Sequence, residues 1–161
     1  MLLRIFGAVI AMLLIAGCSS TPKDTASSTD TGATSTTVDG PVIGGTQDDL
    51  VINVGDRIFF ALNSHDLSED SQDILHDQAS WLKQYSDVTL TVEGHCDERG
   101  TREYNIALGE RRAQSMKNYL IGLGIEAGRI STISYGKERP AVLGSNDAAW
   151  TQNRRAVAVV N

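Results

Sequence analysis

The sequence predicts an α+β protein: a two-layer α/β sandwich in βαβα(β)β order, with a mixed four-stranded sheet and the helices on one face. Three observations lead there. Two long segments carry apolar residues at helical spacing and are separated by short apolar runs of strand length. Each helix has one apolar stripe to bury, and a sheet face is the surface that can take both. The chain has 161 residues, enough for one ordinary core with a leader and a linker but not for two cores.

The first strand is read in residues 56–62, where Ile58, Phe60 and Leu62 alternate with Phe59 and Ala61, so that both faces are partly apolar. Ser68 is suited to cap the first helix. Glu69 and Asp70 follow in the first turn, where they complement the helix dipole, and Ile74, Leu75, Ala79, Leu82 and Tyr85 recur on one side. Val88, Leu90 and Val92 alternate as a second strand that stops at Gly94. A polar turn follows, His95-Cys96-Asp97-Glu98-Arg99-Gly100. The second helix is expected over about residues 102–120, with Tyr104, Ala107, Leu108, Met116, Tyr119 and Leu120 as its apolar or weakly polar positions and Gly122 and Gly124 as its stop. Residues 130–135 read as a third strand, residues 147–152 as a short helical segment after the Gly144-Ser145 turn, and residues 156–160 as a last, apolar strand. No internal repeat is evident.

The chain ahead of this domain has a different character. Residues 1–17 carry one early charge, Arg4, and then an apolar run in the manner of a signal-peptide core. The run falls short of the roughly 20 residues that a membrane-spanning helix needs. It ends in Leu14-Ile15-Ala16-Gly17-Cys18, which resembles the bacterial lipobox, in which small residues admit the lipoprotein signal peptidase and the cysteine thiol is acylated. The resemblance implies lipidation at Cys18; an ordinary secretory leader with an incidental cysteine is the plainer alternative. At about 0.8 kcal/mol per buried CH₂, an anchor of several acyl chains is effectively permanent. Ser19, in place of an aspartate, favours the outer membrane by analogy with such lipoproteins. Residues 18–49 are then expected to be the lipidated cysteine and a linker rich in Ser, Thr, Gly and Asp, with an r.m.s. reach of about 30 Å. Residues 50–161 are expected to be the folded domain.

The formal net charge of -6 argues against nucleic acid, whose binding needs a clustered excess of Lys and Arg. The two cysteines, Cys18 and Cys96, sit in such different contexts that a disulfide between them is not expected.

The segment TVEGHCDERGTREYNIALGERRAQSMKNYL, followed by SYGKERPAVLG and NRRAVAV, resembles the OmpA-like peptidoglycan-binding domain over roughly residues 50–161. With the lipobox, the DERGT loop and the NIALGERRA helix resemble the peptidoglycan-associated lipoproteins of the Tol system in particular. The resemblance implies the OmpA-like fold and a lipid-anchored protein of the cell outer membrane whose domain faces the periplasm. It implies non-covalent binding of peptidoglycan through the diaminopimelate of the stem peptide, tethering outer membrane to wall, with roles in envelope integrity and in outer-membrane invagination at division. A periplasmic propeller protein of the Tol system is the implied partner.

The free end of diaminopimelate carries an ammonium and a carboxylate, so the resemblance assigns Asp97 to the first and Arg112 to the second, the latter through two parallel N–H bonds. Helical spacing separates the tandem arginines: Arg112 shares a face with Asn105 and Leu108, and Arg111 does not. Without the family match, an ordinary loop acid and a solvated helix arginine are the default readings. Asn105 and Leu108 are weaker candidates for lining or bracing the site, Leu108 equally a core residue. Phe60 is either a wall of the pocket or core. Arg155 is suggested by its family position, against a surface role. Two positions depart from the family pattern: Cys96, where relatives carry a small residue, and Ala61, where they carry an aspartate.

Rival classes are weaker. A base and nucleophile made of His95 and Cys96 fails because neighbours at a strand end point to opposite faces. A metal site among His65, His76, His95 and Cys96 lacks compact ligand spacing. Catalysis, cofactors and metals are therefore not expected, and the alternative function is a periplasmic protein-interaction module that docks a Tol-type partner without touching the wall.

Overall fold

The protein was described through a computed structural model covering residues 41–161; the expectations for the leader, for Cys18 and for the linker up to residue 40 lie outside the described residues. One four-stranded sheet runs in the order β1-β4-β2-β3. Here β1 is Arg57–Phe59, β2 Leu90–His95, β3 Ile130–Gly136 and β4 Arg155–Val160. Central β4 is antiparallel to both β1 and β2, while β2 and β3 are parallel. The parallel pair needs a long crossover, and α3 (Arg102–Gly122) supplies it. This is the mixed sheet and α+β architecture that the sequence implies.

Capping chemistry sets the helix starts. Ser68 Oγ accepts from the Ser71 N–H at 3.3 Å to open α2 (Glu69–Gln84), and Thr101 Oγ1 accepts from the Tyr104 N–H at 3.2 Å to open α3. Asn146 does the same for the short α4 (Asp147–Asn153). Helices α2 and α3 cover one sheet face, burying Leu75, Leu82, Met116 and Leu120 against Ile58, Leu90, Val92, Ile130, Ala156 and Ala158. The buried stripe of α3 runs through Asn105, Leu108, Arg112, Met116 and Leu120, and Arg111 is exposed.

Helix α3 approaches β2 unusually closely. A methyl group on Gly94 would overlap the carbonyl of Gly109, so only glycine at both positions lets backbone meet backbone here. The ladder shifts register at the next step, between Gly94 and His95, where β2 leaves the sheet. The polar turn after β2 is thereby delivered onto the first half of α3.

Folded contacts begin before Leu50. Residues 47–49, expected as linker, form α1 (Gln47–Asp49), which continues into a π-turn over Leu50–Val54. The Gln47 side chain donates to Ala158 O at 3.2 Å and accepts from the Val160 N–H at 2.7 Å, while buried Asp49 accepts from Trp81 Nε1 at 2.7 Å. A polar segment reads as linker because it buries little apolar surface; this one docks by hydrogen bonds, which hydropathy does not reveal. Strand β1 is also shorter than expected, since the chain bends away after Phe60 into the loop 61–64.

Candidate functional site

The turn after β2, the first half of α3 and the entry to β4 converge on one small pocket. Asp97, Arg112, Asn105 and Leu108 all line it, joined by Arg99, Arg154, Cys96 and the loop residues Leu62 and Asn63. Asp97 is 5 % exposed and Arg112 is fully buried, so neither is the solvated surface charge that a sequence reading takes as default.

Arg112 reaches across the pocket floor and ties three chain segments together. Its Nε donates to Ser64 O at 2.9 Å, Nη1 to His95 O at 2.8 Å and Nη2 to Ala61 O at 3.1 Å. Its guanidinium lies 5.1 Å from the centre of the Phe60 ring. Phe60 is therefore both core and a brace for Arg112, and Ala61, which has no polar side chain, contributes its main-chain carbonyl. Burial draws the Arg112 pKa below its ordinary value. Two guanidinium N–H groups, one on each terminal nitrogen, remain beyond these three bonds.

Asp97 is held by arginines. Its Oδ1 accepts from the Arg99 N–H at 3.1 Å and from Arg99 Nε at 3.2 Å; its Oδ2 accepts from Arg99 Nη2 at 2.6 Å and from Arg154 Nη1 at 3.3 Å. Burial by itself would raise the carboxyl, but the hydrogen bonds from Arg99 and Arg154 outweigh it and hold the group below the ordinary carboxylate value. Asn105 fixes the loop that carries Asp97, donating to Arg99 O at 2.8 Å and to Thr101 O at 3.0 Å. The Arg99 guanidinium stacks on Trp150 of α4 at 4.1 Å.

Arg155 is not at this pocket. In β4 the residues Ala156 and Ala158 face the helices, so Arg154 points to the helix side and Arg155 to the other face. There it donates from Nη2 to Arg139 O at 3.3 Å, while its Nε and Nη1 find no partner among the described residues. The arginine that reaches Asp97 is its neighbour, Arg154. The apolar run of β4 hides the alternation that would have separated the two. Arg99 was missed for a different reason: a loop arginine two residues from a loop acid gives no sign of where it folds.

His95 and Cys96 also part company. Cys96 is a buried free thiol whose Sγ donates to Asn105 O at 3.3 Å, with its pKa raised by burial. His95 faces the opposite side, its ring 5.6 Å from that of Tyr135. Among the described residues no group of three or more His, Cys, Asp or Glu is placed to hold a metal ion, and no helix is long and apolar enough to cross a membrane.

Comparison with known proteins gives a consistent result. Residues 59–156 match the model of the OmpA family. The chain is 46 % identical over 156 residues to the peptidoglycan-associated lipoprotein of Mesorhizobium japonicum, covering 96 % of this chain and 89 % of that protein. It is 48 % identical over 100 residues to the protein of the same name from Haemophilus influenzae, covering 62 % of this chain and 65 % of the relative. Among solved structures it is similar to the peptidoglycan-associated lipoprotein from Burkholderia pseudomallei, with a TM-score of 0.64 and 37 % identity over 66 % of this chain and 90 % of that one. The C-terminal domain of Helicobacter pylori MotB shares the fold, with a TM-score of 0.62 at 20 % identity over 66 % of this chain and 84 % of that one.

Proposed function

The chain belongs to the OmpA family and, within it, to the peptidoglycan-associated lipoproteins, structural proteins and not enzymes, and from this premise we propose that it grips peptidoglycan through the diaminopimelate of the stem peptide. The observation that carries the reading is the placement of one buried carboxylate and one buried guanidinium, Asp97 and Arg112, in a single pocket. The ligand's ammonium goes to Asp97. Its carboxylate takes the two N–H groups that Arg112 does not spend on main-chain carbonyls. Asn105 holds the Asp97 loop in place, Leu108 and Leu62 supply the apolar walls, and Phe60 braces the Arg112 guanidinium.

On this reading the domain is the wall-binding end of a lipid-anchored protein. Lipidation at Cys18 fixes the other end in the outer membrane, the chain between Cys18 and the docked Gln47 spans most of the gap, and the whole acts as a tether in envelope integrity and division. Docking to the periplasmic propeller protein of the Tol system is supported by family membership alone. A propeller affinity unchanged by saturating wall fragment would show that the two partners do not share a face.

Calorimetric titration of the full-length chain with the tripeptide L-Ala-D-Glu-diaminopimelate tests the site. Asp97→Asn and Arg112→Lys keep size or charge but remove, respectively, the anion and the planar fork, and each is expected to weaken binding by about 2 kcal/mol or more. Circular dichroism confirms that the variants are folded. Wild-type affinity in both would remove Asp97 and Arg112 from the proposed site.

A further inference from the structure

The geometry points to Arg99 as a displaceable internal cation that closes the Asp97 pocket and yields it only to a ligand bearing both an ammonium and a carboxylate. This inference rests on the wall-binding reading above and adds to it a residue that sets selectivity.

A carboxylate offers about four acceptor positions. On Asp97 four donors already fill them, three from Arg99 and one from Arg154. An incoming ammonium therefore has no lone pair to meet until a donor leaves. Arg154 is poorly placed to leave: its Nε donates to Phe60 O at 3.0 Å, its Nη2 to Thr151 Oγ1 at 3.1 Å, and its side chain is only 14 % exposed. The Arg99 side chain is 36 % exposed, and its guanidinium is held by Asp97 and by the face of Trp150. Swinging it out breaks two hydrogen bonds, frees one position on each carboxylate oxygen, and leaves the Arg99 main-chain N–H bond in place.

Position supports the same role. Behind Arg99 the pocket has a volume of only about 10 Å³, room for about one water molecule. In front of it lies an open groove of about 360 Å³, lined by Leu62, Asn63, Gly100 and Tyr104. Arg99, Leu62 and Asn63 line both, so the three form the partition between groove and pocket, and of these only Arg99 bonds Asp97. Asn63, which lines both cavities, is the only non-glycine with positive φ among the described residues, at 54°.

Charge counting then gives the selectivity. The pocket holds three guanidinium groups, those of Arg99, Arg112 and Arg154, around one carboxylate, that of Asp97. A simple amine that expels Arg99 exchanges one cation for another and gains little. A simple carboxylate has no means of loosening the Arg99–Asp97 pair. A zwitterionic amino-acid end replaces the lost cation at Asp97 and also brings an anion to Arg112, so it both opens the Arg99–Asp97 pair and lowers the net positive charge of the pocket.

The test is calorimetry on the full-length chain and its Arg99→Ala and Arg99→Lys variants, with the diaminopimelate tripeptide and, separately, with n-butylamine. Arg99 is on the surface side of the pocket, and thermal melts confirm that the variants fold. If the closed state holds nine molecules in ten, Arg99→Ala binds the tripeptide about tenfold more tightly. Arg99→Lys, which keeps the cation but not the fork, is expected to fall between. Butylamine should bind only to Arg99→Ala, and the tripeptide should shift the emission of Trp150 in the wild type but not in Arg99→Ala. Tripeptide binding that is unchanged or weaker in Arg99→Ala overturns the plug while leaving the wall-binding reading intact. Absence of binding to wild type and Arg99→Ala alike overturns both.

Discussion

Arg154 and Arg155 are consecutive in the chain, yet they serve two charged clusters on opposite faces of one sheet, and the clusters are built differently. On the helix side, Arg99, Arg112 and Arg154 surround Asp97, and each finds a carboxylate or main-chain carbonyl to bond. On the far side, His95 and Arg155 are almost as deeply buried, but both ring nitrogens of His95 and two nitrogens of Arg155 have no hydrogen-bond partner among the described residues. Glu93 is the nearby acid, 3.4 Å from His95 Nε2. Burial is therefore shared by the two clusters. What distinguishes them is the accounting of donors and acceptors, which closes around Asp97 and stays open around Arg155.

Four measurements would sharpen or break this contrast. The largest effect is expected from Arg112→Met, which keeps the apolar stem but strands the buried carbonyl of His95 and the half-buried bonds to Ser64 O and Ala61 O; urea denaturation should show a loss of about 3 to 5 kcal/mol. A loss under 1 kcal/mol would mean that Arg112 is held for ligand and not for fold.

On the far face the strongest effect should come from acid. Burial, with Arg155, Arg139 and Arg57 nearby, lowers the His95 pKa from 6.5 to about 4. Between those values the unfolded chain takes up a proton that the folded chain refuses, so stability falls as the pH drops through this window, by up to about 3 kcal/mol. His95→Gln should flatten that part of the stability–pH curve, and an unchanged slope would place the proton elsewhere.

Arg154→Met strands Phe60 O but leaves Asp97 its Arg99 partner, and is expected to cost about 1 to 2 kcal/mol by the same denaturation measurement. Arg155→Met should be the mildest, within about 0.5 kcal/mol of wild type or slightly stabilising, because it removes two unmet donors and strands only the Arg139 carbonyl. If Arg155→Met cost more than Arg154→Met, the two faces would not differ in the way described.

The sequence carried the fold well because its signals there are periodic. The apolar spacing of α2 and α3, the cap at Ser68 and the glycine near the end of β2 each determine structure over a few neighbouring residues, and the elements appear within a residue or two of where those signals place them. The choice of Arg112 over Arg111 followed from the same helical arithmetic. Arg154 was lost because β4 is apolar on both faces, so nothing in residues 156–160 says which way the preceding arginines point. Arg99 and the docking of Gln47 were lost because both depend on partners distant in sequence or on a loop conformation, about which local pattern is silent.

That docking has a mechanical consequence. The Gln47 amide bonds to Ala158 and Val160 as a neighbouring strand would, and close by Gly45 donates to Asp49, which also receives the Trp81 indole. A pull entering the domain from its N-terminal side meets this clasp before it reaches β1 and the loop whose carbonyls hold Arg112. While the clasp holds, the load passes directly into β4 and by-passes β1 and the loop 61–64 that anchors Arg112.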